Sequence, residues 1–316
     1  MNSARQTVNA DCAANAGYTG RGVCVAFLDT GVDPADDLVT PRNRIVAFKD
    51  FVSGASRPFD DNGHGTHVAG IAAGNGVSSL GRYMGIAPEA EIAAVKILDK
   101  KGRGSSAEVL AGLQWVADNH AKYNIRVCNL SIGTADCGEG DPLIAAVSAL
   151  WDMGIVVVTA AGNNGPRGGS VTAPGVSRKV ITVGASDDAN PVRIWGSPLV
   201  NFSGRGPTSS CVVKPDLVAP GSNIVSCLSS SCRNSGRHGE FQAAAAGLPE
   251  NYTRMSGTSM STPIVTGAAA LLLQQRPRLT PNEVKRRLKS CARDMKYPKN
   301  QQGWGLIDIS KLLSEG

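Results

Sequence analysis

Gly22-Val-Cys-Val-Ala-Phe-Leu28 is an unbroken apolar run that ends in Asp29-Thr-Gly-Val-Asp33. A run without polar alternation predicts a strand covered on both faces, and the glycine that follows predicts a sharp turn. Further along the chain, Ala87-Pro-Glu-Ala-Glu-Ile-Ala-Ala-Val-Lys-Ile-Leu98 contains a second such strand, and Lys101-Gly-Arg-Gly-Ser-Ser106 a loop with a helix cap. Val109, Leu110, Leu113, Val116 and Ala117 fall at helical spacing between Glu108 and Asn119. Val127 to Gly133 reads as a strand, Leu143 to Trp151 as a helix, and the runs from Gly154 and from Lys179 to Gly184 as further strands. Regular alternation of strand and helix predicts an α/β fold with a parallel sheet and helices on both faces. Pro281 to Leu288 reads as a capped helix and Gly303 to Ile309 as a final short strand. No repeat or linker divides the chain, so residues 1–316 are expected to form one domain. The stretch 226–251, rich in Ser, Gly and Ala, stands out as a long variable loop.

Composition bounds the function classes. The chain has 316 residues, 42% hydrophobic and 18% charged, enough for a sizeable core. The net charge of +6 is spread along the chain, and the nearest approach to a cluster is Lys285-Arg286-Arg287 with Lys289. At helical spacing this reads as a solvated face, so no nucleic-acid partner is expected. The Ala-rich run after Pro263 is too short for a membrane span, and Met1-Asn-Ser-Ala-Arg-Gln6 lacks the apolar core of a signal peptide. A native Met1 implies a cytoplasmic protein; removal of a leader or pro-segment implies a secreted one. Of eight cysteines, Cys24 and Cys128 lie in strand-like runs and read as buried thiols, while Cys227 and Cys232 are the local disulfide candidates. No CxxC pair occurs, which argues against a zinc ribbon.

Four chain-distant positions carry chemistry. Asp29 ends the first strand, where open α/β sheets place their sites, although a turn-forming aspartate reads the same way. His64 opens the small-residue run His64-Gly-Thr-His67-Val-Ala-Gly. One reading makes it a general base; another pairs it with His67 as metal ligands, but no acidic helper stands on that helix. His67, deeper in, reads as structural. Ser259 lies in Arg254-Met-Ser-Gly-Thr-Ser-Met-Ser-Thr-Pro263, ahead of an apolar run for which Pro263 marks a helix start. Alone, it reads as a cap. Asn163 sits in a glycine-flanked loop after a strand. Together an acid, a base, a hydroxyl and an amide donor are the parts that activate serine and hold an oxyanion.

Asp29-Thr-Gly31, His64-Gly-Thr-His-Val-Ala-Gly70 and Gly257-Thr-Ser-Met-Ser-Thr-Pro263 resemble, in order, the three active-site motifs of the subtilisin-like serine proteases. Ala160-Ala-Gly-Asn163 is similar to the oxyanion-hole segment of that family, and Asn201 to Pro207 and Lys214 to Gly221 extend the likeness to most of the chain. Within the family the chain is most similar to the bacterial AprX-type branch. The resemblance implies a three-layer sandwich and a serine endopeptidase working through an acyl-enzyme, with Asp29, His64 and Ser259 catalytic and Asn163 in the oxyanion hole. A monomer is expected, and the resemblance implies that it binds protein or peptide substrates as an added strand, between Gly102-Arg103-Gly104 and Ser131-Ile132-Gly133. Ala160, Ala161 and Gly162 are then expected to line the pocket for the residue before the scissile bond, giving a broad hydrophobic or aromatic preference. Thr172 stands near a position where many members have glycine, which implies a smaller pocket. A catalytically silent, peptide-binding relative is the alternative, although such relatives typically lose a catalytic residue. Many secreted members carry a calcium loop after the catalytic histidine. Here Gly74 to Gly85 has no carboxylate and only Asp37 is at hand, so no calcium site and no required cofactor are expected.

Overall fold

The computed structural model describes residues 1–134, 140–189, 191–194, 197–234 and 247–314. Its strands are β1 (Cys24–Asp29), β2 (Ile45–Asp50), β3 (Glu91–Lys96), β4 (Ile125–Leu130), β5 (Val156–Ala160) and β6 (Ile181–Ala185), then β7 (Val192–Ile194), β8 (Ser197–Leu199), β9 (Leu217–Ala219), β10 (Ile224–Cys227) and β11 (Tyr252–Met255). Seven of them form one sheet in the order β2-β3-β1-β4-β5-β6-β9, with every pairing parallel. Every residue of β1, β5 and β6 is buried, as the unbroken apolar runs require.

The helices His64–Ala73 and Thr258–Gln275 pack on each other and on one side of the sheet. Ser106–Tyr123 and Pro142–Asp152 pack on each other and on strands of the sheet, as the other outer layer of a three-layer α/β sandwich. A capping box between Ser105 and Glu108 starts the Ser106–Tyr123 helix, and Asn124 in a left-handed conformation ends it. No helix among the described residues is long and apolar enough to cross a membrane.

Several expectations change. Edge strand β2 and the three-residue β9 add to the sheet at its two ends. Gly303 to Ile309 makes isolated bridges from Leu306 to Val218 and Arg293, not a strand, and Ile309 begins a short helix. The stretch 226–251 is not all loop: Ser226 and Cys227 belong to β10, which pairs antiparallel with β11, and Ser230–Asn234 is helical. Its residues 235–246 lie outside the described ones, as does Cys137. Cys227 is a buried free thiol facing Asp37, whereas Cys232 Sγ donates to Asn62 O, so the two are not joined. Cys24 and Cys128 are buried and free, as read. Lys285 does not lie on a solvated face: it donates to the carbonyls of Arg178, Lys179 and Val180, pairs with Asp216 and lies near the rings of Trp151 and Trp304.

Candidate active site

The C-terminal ends of the central strands face an open cleft of about 740 Å³. Asp29, the last residue of β1, is wholly buried, and its Oδ1 accepts from the Thr30 N–H. His64 opens its helix directly above. This approach is possible because residue 65 is glycine: a Cβ there would stand 2.1 Å from the Gly31 carbonyl and 3.1 Å from Asp29 Cβ. His64 Nδ1 lies 2.7 Å from Asp29 Oδ1. A carboxylate can only accept, so Nδ1 carries the proton and Nε2 holds the lone pair. Burial is the largest influence on His64 and acts to lower its pKa, but the Asp29 charge, the hydrogen bond to it and the Asp60 charge together raise the value above the ordinary one.

Asp60 is the member of this region that sequence reading missed. Fully buried, it accepts at Oδ1 from Thr30 Oγ1 and from the Asn62 and Gly63 N–H groups, and at Oδ2 from the N–H and hydroxyl of Thr66. One carboxylate thereby ties the turn after Asp29 to the first turn of the His64 helix. His67 is structural, with Nε2 on Ile224 O, and burial drives its pKa down to about 3. With each imidazole engaged elsewhere, the pair does not face a common ion; among the described residues no group of three His, Cys, Asp or Glu side chains is placed to hold a metal. At the calcium position implied by the resemblance, the residues do not fit a cation. Asp37 Oδ1 takes the Ser78 N–H, and Oδ2 takes the Tyr252 hydroxyl at 2.6 Å.

Ser259 enters from the far end of the chain. The helix that carries it begins at Thr258, five residues before the proline that the sequence suggested as its start. Pro263 therefore lies inside the helix, where it withholds the N–H that would bond the carbonyl of Ser259. The Ser131 hydroxyl supplies that bond instead, at 3.0 Å, while Ser259 Oγ donates to Ser131 O at 3.1 Å. Gly257, with φ +143°, aims the chain into this first turn.

Asn163 sits opposite. Its Oδ1 accepts from the Thr258 N–H at 2.9 Å and from the Thr258 hydroxyl at 3.0 Å, and Thr258 Oγ1 in turn accepts from the Gly162 N–H. A backbone N–H is only a donor, which fixes the amide with Oδ1 toward Thr258 and leaves Nδ2 as the donor. Thr258 is thus a second residue of the site that sequence reading left without a role.

His64, Ser259 and Asn163 line one cleft with Gly102, Arg103 and Gly104 on one edge and Ser131, Ile132 and Gly133 on the other. Ala160 and Gly162 also line this cleft. Ala161 does not: its side chain is buried in the protein, and its carbonyl accepts from the Thr172 N–H. Leu98, Val109, Ile194 and Leu199 add apolar surface, the last two from the β7–β8 hairpin, which sequence reading did not connect with the site.

Similarity to known proteins agrees with this geometry. The profile of the Peptidase_S8 subtilase family matches residues 20–305. Over 279 residues the chain is 44% identical to Serine protease AprX of Bacillus subtilis (strain 168), an alignment covering 86% of this chain and 61% of that protein. The chain thus spans about three fifths of that relative. It is 36% identical over 302 residues to Subtilisin Savinase of Lederbergia lenta, covering 95% of this chain and 94% of the relative. Among solved structures, a cold adapted subtilisin-like serine proteinase superposes with a TM-score of 0.70 at 30% identity, covering 92% of this chain and 90% of the other. Sphericase superposes with a TM-score of 0.72 at 29% identity, covering 92% of each.

Proposed function

The chain belongs to the subtilase family, and on that premise we propose that it is a serine endopeptidase whose catalytic residues are Asp29, His64 and Ser259. The observation that carries this reading is the 2.7 Å Asp29–His64 pair, whose imidazole lines the same cleft as Ser259 and an asparagine amide whose donor end is left for a ligand. Ser259 Oγ bonds to the scissile carbonyl carbon as its proton passes to His64 Nε2. To do so the Ser259 hydroxyl turns from the Ser131 carbonyl toward the imidazole. Negative charge collects on the carbonyl oxygen, where Asn163 Nδ2 and the Ser259 N–H in the helix's first turn donate to it. The C–N bond then breaks, His64 returns its proton to the leaving amine, and an acyl-enzyme remains on Ser259. Water repeats the sequence, giving its proton to His64 and releasing the peptide acid and the free serine. Asp29 accepts the His64 Nδ1–H throughout and holds His64 in the productive tautomer.

Peptide enters as a strand between the Gly102–Gly104 and Ser131–Gly133 edges, which offer backbone groups to any sequence. The apolar lining from Leu98, Val109, Ile132 and Leu199 favours hydrophobic residues in the bound peptide. Fluorophosphonate labelling tests the reading. Ser259 is expected to be labelled, and Ser259→Ala to lose both label and peptide hydrolysis. Hydrolysis by Ser259→Ala at the parental rate would overturn the serine mechanism, and an unlabelled but folded parent would favour a peptide-binding relative without activity.

A further inference from the structure

Behind Ser259, two wholly buried polar side chains meet between strand and helix: Asn129, next to last in β4, and Thr266, about two turns beyond Ser259 in the same helix. A buried amide costs free energy unless it is hydrogen-bonded. This one bridges the two elements. Its Oδ1 accepts from Thr266 Oγ1 at 2.8 Å, and its Nδ2 donates to Ser131 Oγ at 3.0 Å. Two residues apart at the strand's end, Asn129 and Ser131 both face the Thr258–Gln275 helix. The bonds therefore run in one line, from the Thr266 hydroxyl through the Asn129 amide and the Ser131 hydroxyl to the Ser259 carbonyl. The line has a direction. With the amide turned round, Asn129 Oδ1 would draw the Ser131 proton to itself. The Ser259 carbonyl, which Pro263 leaves without an N–H, would then lose its donor. With Thr266 donating to Oδ1, the amide offers Ser131 only an N–H, and the Ser131 proton is left for Ser259.

We propose that Asn129 and Thr266 are positioning residues for the nucleophile: they hold the Ser131 hydroxyl on the Ser259 carbonyl, so that the main chain of Ser259 stays fixed while its own hydroxyl turns toward His64. The inference rests on the peptidase reading above and deepens it. When Ser259 Oγ leaves the Ser131 carbonyl, one of the two bonds between these residues is given up. The other remains, because its donor is held from the interior and not by Ser259. The Ser259 N–H in the helix's first turn then keeps its direction toward the oxyanion. Without the Thr266 hydroxyl or the Asn129 amide, the Ser131 hydroxyl is free to swing, and the nucleophile's turn loses its anchor at the moment of attack. Both side chains are buried behind the cleft and not among the residues that line it. Their effect therefore falls on the chemical step and not on peptide binding.

The experiment compares the parent with Thr266→Val, Thr266→Ser and Asn129→Leu. It reads the rate constant for labelling of Ser259 by a fluorophosphonate, the fraction finally labelled, and kcat and KM for one peptide p-nitroanilide. Valine and leucine keep the volume and remove the hydrogen bonds; serine keeps the hydroxyl. Thr266→Val is expected to label about tenfold more slowly than the parent, within the hundredfold that a misplacement of about 1 Å can cost. Its kcat is expected to fall by the same factor with KM unchanged. Asn129→Leu is expected to lose at least as much, and Thr266→Ser to restore the parental rate constant. A merely structural part would lower the fraction labelled and the urea midpoint, but leave the folded molecules labelling at the parental rate. That result in Thr266→Val overturns the proposal, even where Asn129→Leu does not fold, and so does a Thr266→Ser enzyme as slow as Thr266→Val. A folded parent that is neither labelled at Ser259 nor active on peptide overturns the peptidase reading and the positioning roles together. A labelled parent whose variants match it overturns the positioning roles alone.

Discussion

Ser131 and Ser259 exchange hydrogen bonds: the hydroxyl of each donates to the carbonyl of the other, at 3.0 and 3.1 Å. The exchange exists because Pro263, four residues beyond Ser259, offers no N–H to the Ser259 carbonyl. A residue that would weaken an ordinary helix here frees an acceptor that binds the nucleophile's turn to the neighbouring edge segment. Ser131→Ala removes the donor to Ser259 O and also the acceptor of Asn129 Nδ2. It is expected to destabilise the fold by about 1–2 kcal/mol, read as a lower midpoint in urea, and to slow labelling of Ser259 without abolishing it.

Asn163 meets its test in kcat. Its Oδ1 is committed to Thr258, so replacement leaves the Thr258 N–H without a partner and the oxyanion without a side-chain donor. Asn163→Ala is expected to lower kcat by about 100- to 1,000-fold, the range known for the matching donor in subtilisin itself, with KM little changed. An equal fall in substrate affinity would mean that the amide holds the ground state instead.

The pH dependence follows from the raised pKa of His64. The base must be neutral, so kcat/KM is expected to climb through an apparent pKa above the ordinary histidine value of about 6.5. Stability from the same pair runs the other way. A histidine that holds its proton more tightly folded than unfolded contributes fully below about pH 6.5, and that contribution is lost as pH rises through the folded-state pKa. Rate profiles and denaturation midpoints measured over the same pH series should therefore show this pair's two effects with opposite slopes.

Asp60→Asn separates geometry from charge. The amide keeps one acceptor of two and turns an NH₂ toward backbone N–H groups, either that of Thr66 or those of Asn62 and Gly63, so a loss of about 3 kcal/mol is expected. Removing the charge also removes one of the influences that raise His64. The acidic limb of the rate profile is expected to move to lower pH. A variant that is less stable but has an unmoved limb would leave Asp60 with a purely structural part.

Much of this was readable beforehand, and the residues show why. β1, β5 and β6 declare themselves because buried central strands need unbroken apolar runs. β2 is harder to see: at the sheet edge Val46 is 36% exposed, and only four apolar residues precede Lys49 and Asp50. β9 has three residues, too few for any period. Asp29, His64, Ser259 and Asn163 gain meaning jointly, because one chemistry needs all four. Asp60 and Thr258 are short polar residues whose parts are set by neighbours distant in the chain, and residue identity carries no trace of that. The helix start was misplaced because proline is ordinarily a first-turn residue, whereas here the freed carbonyl has another use.

The sheet order has a consequence for the life of the chain before it is complete. β1, which supplies Asp29, lies between β3 and β4, and Ser259 arrives on a helix that packs across β4, β5 and β6. Contacts of such sequence separation form late and slowly. A chain emerging from the ribosome carries its acid and its base long before its nucleophile, and has no groove to present to its neighbours. On the peptidase reading, the capacity to cut thus arrives only with the finished fold.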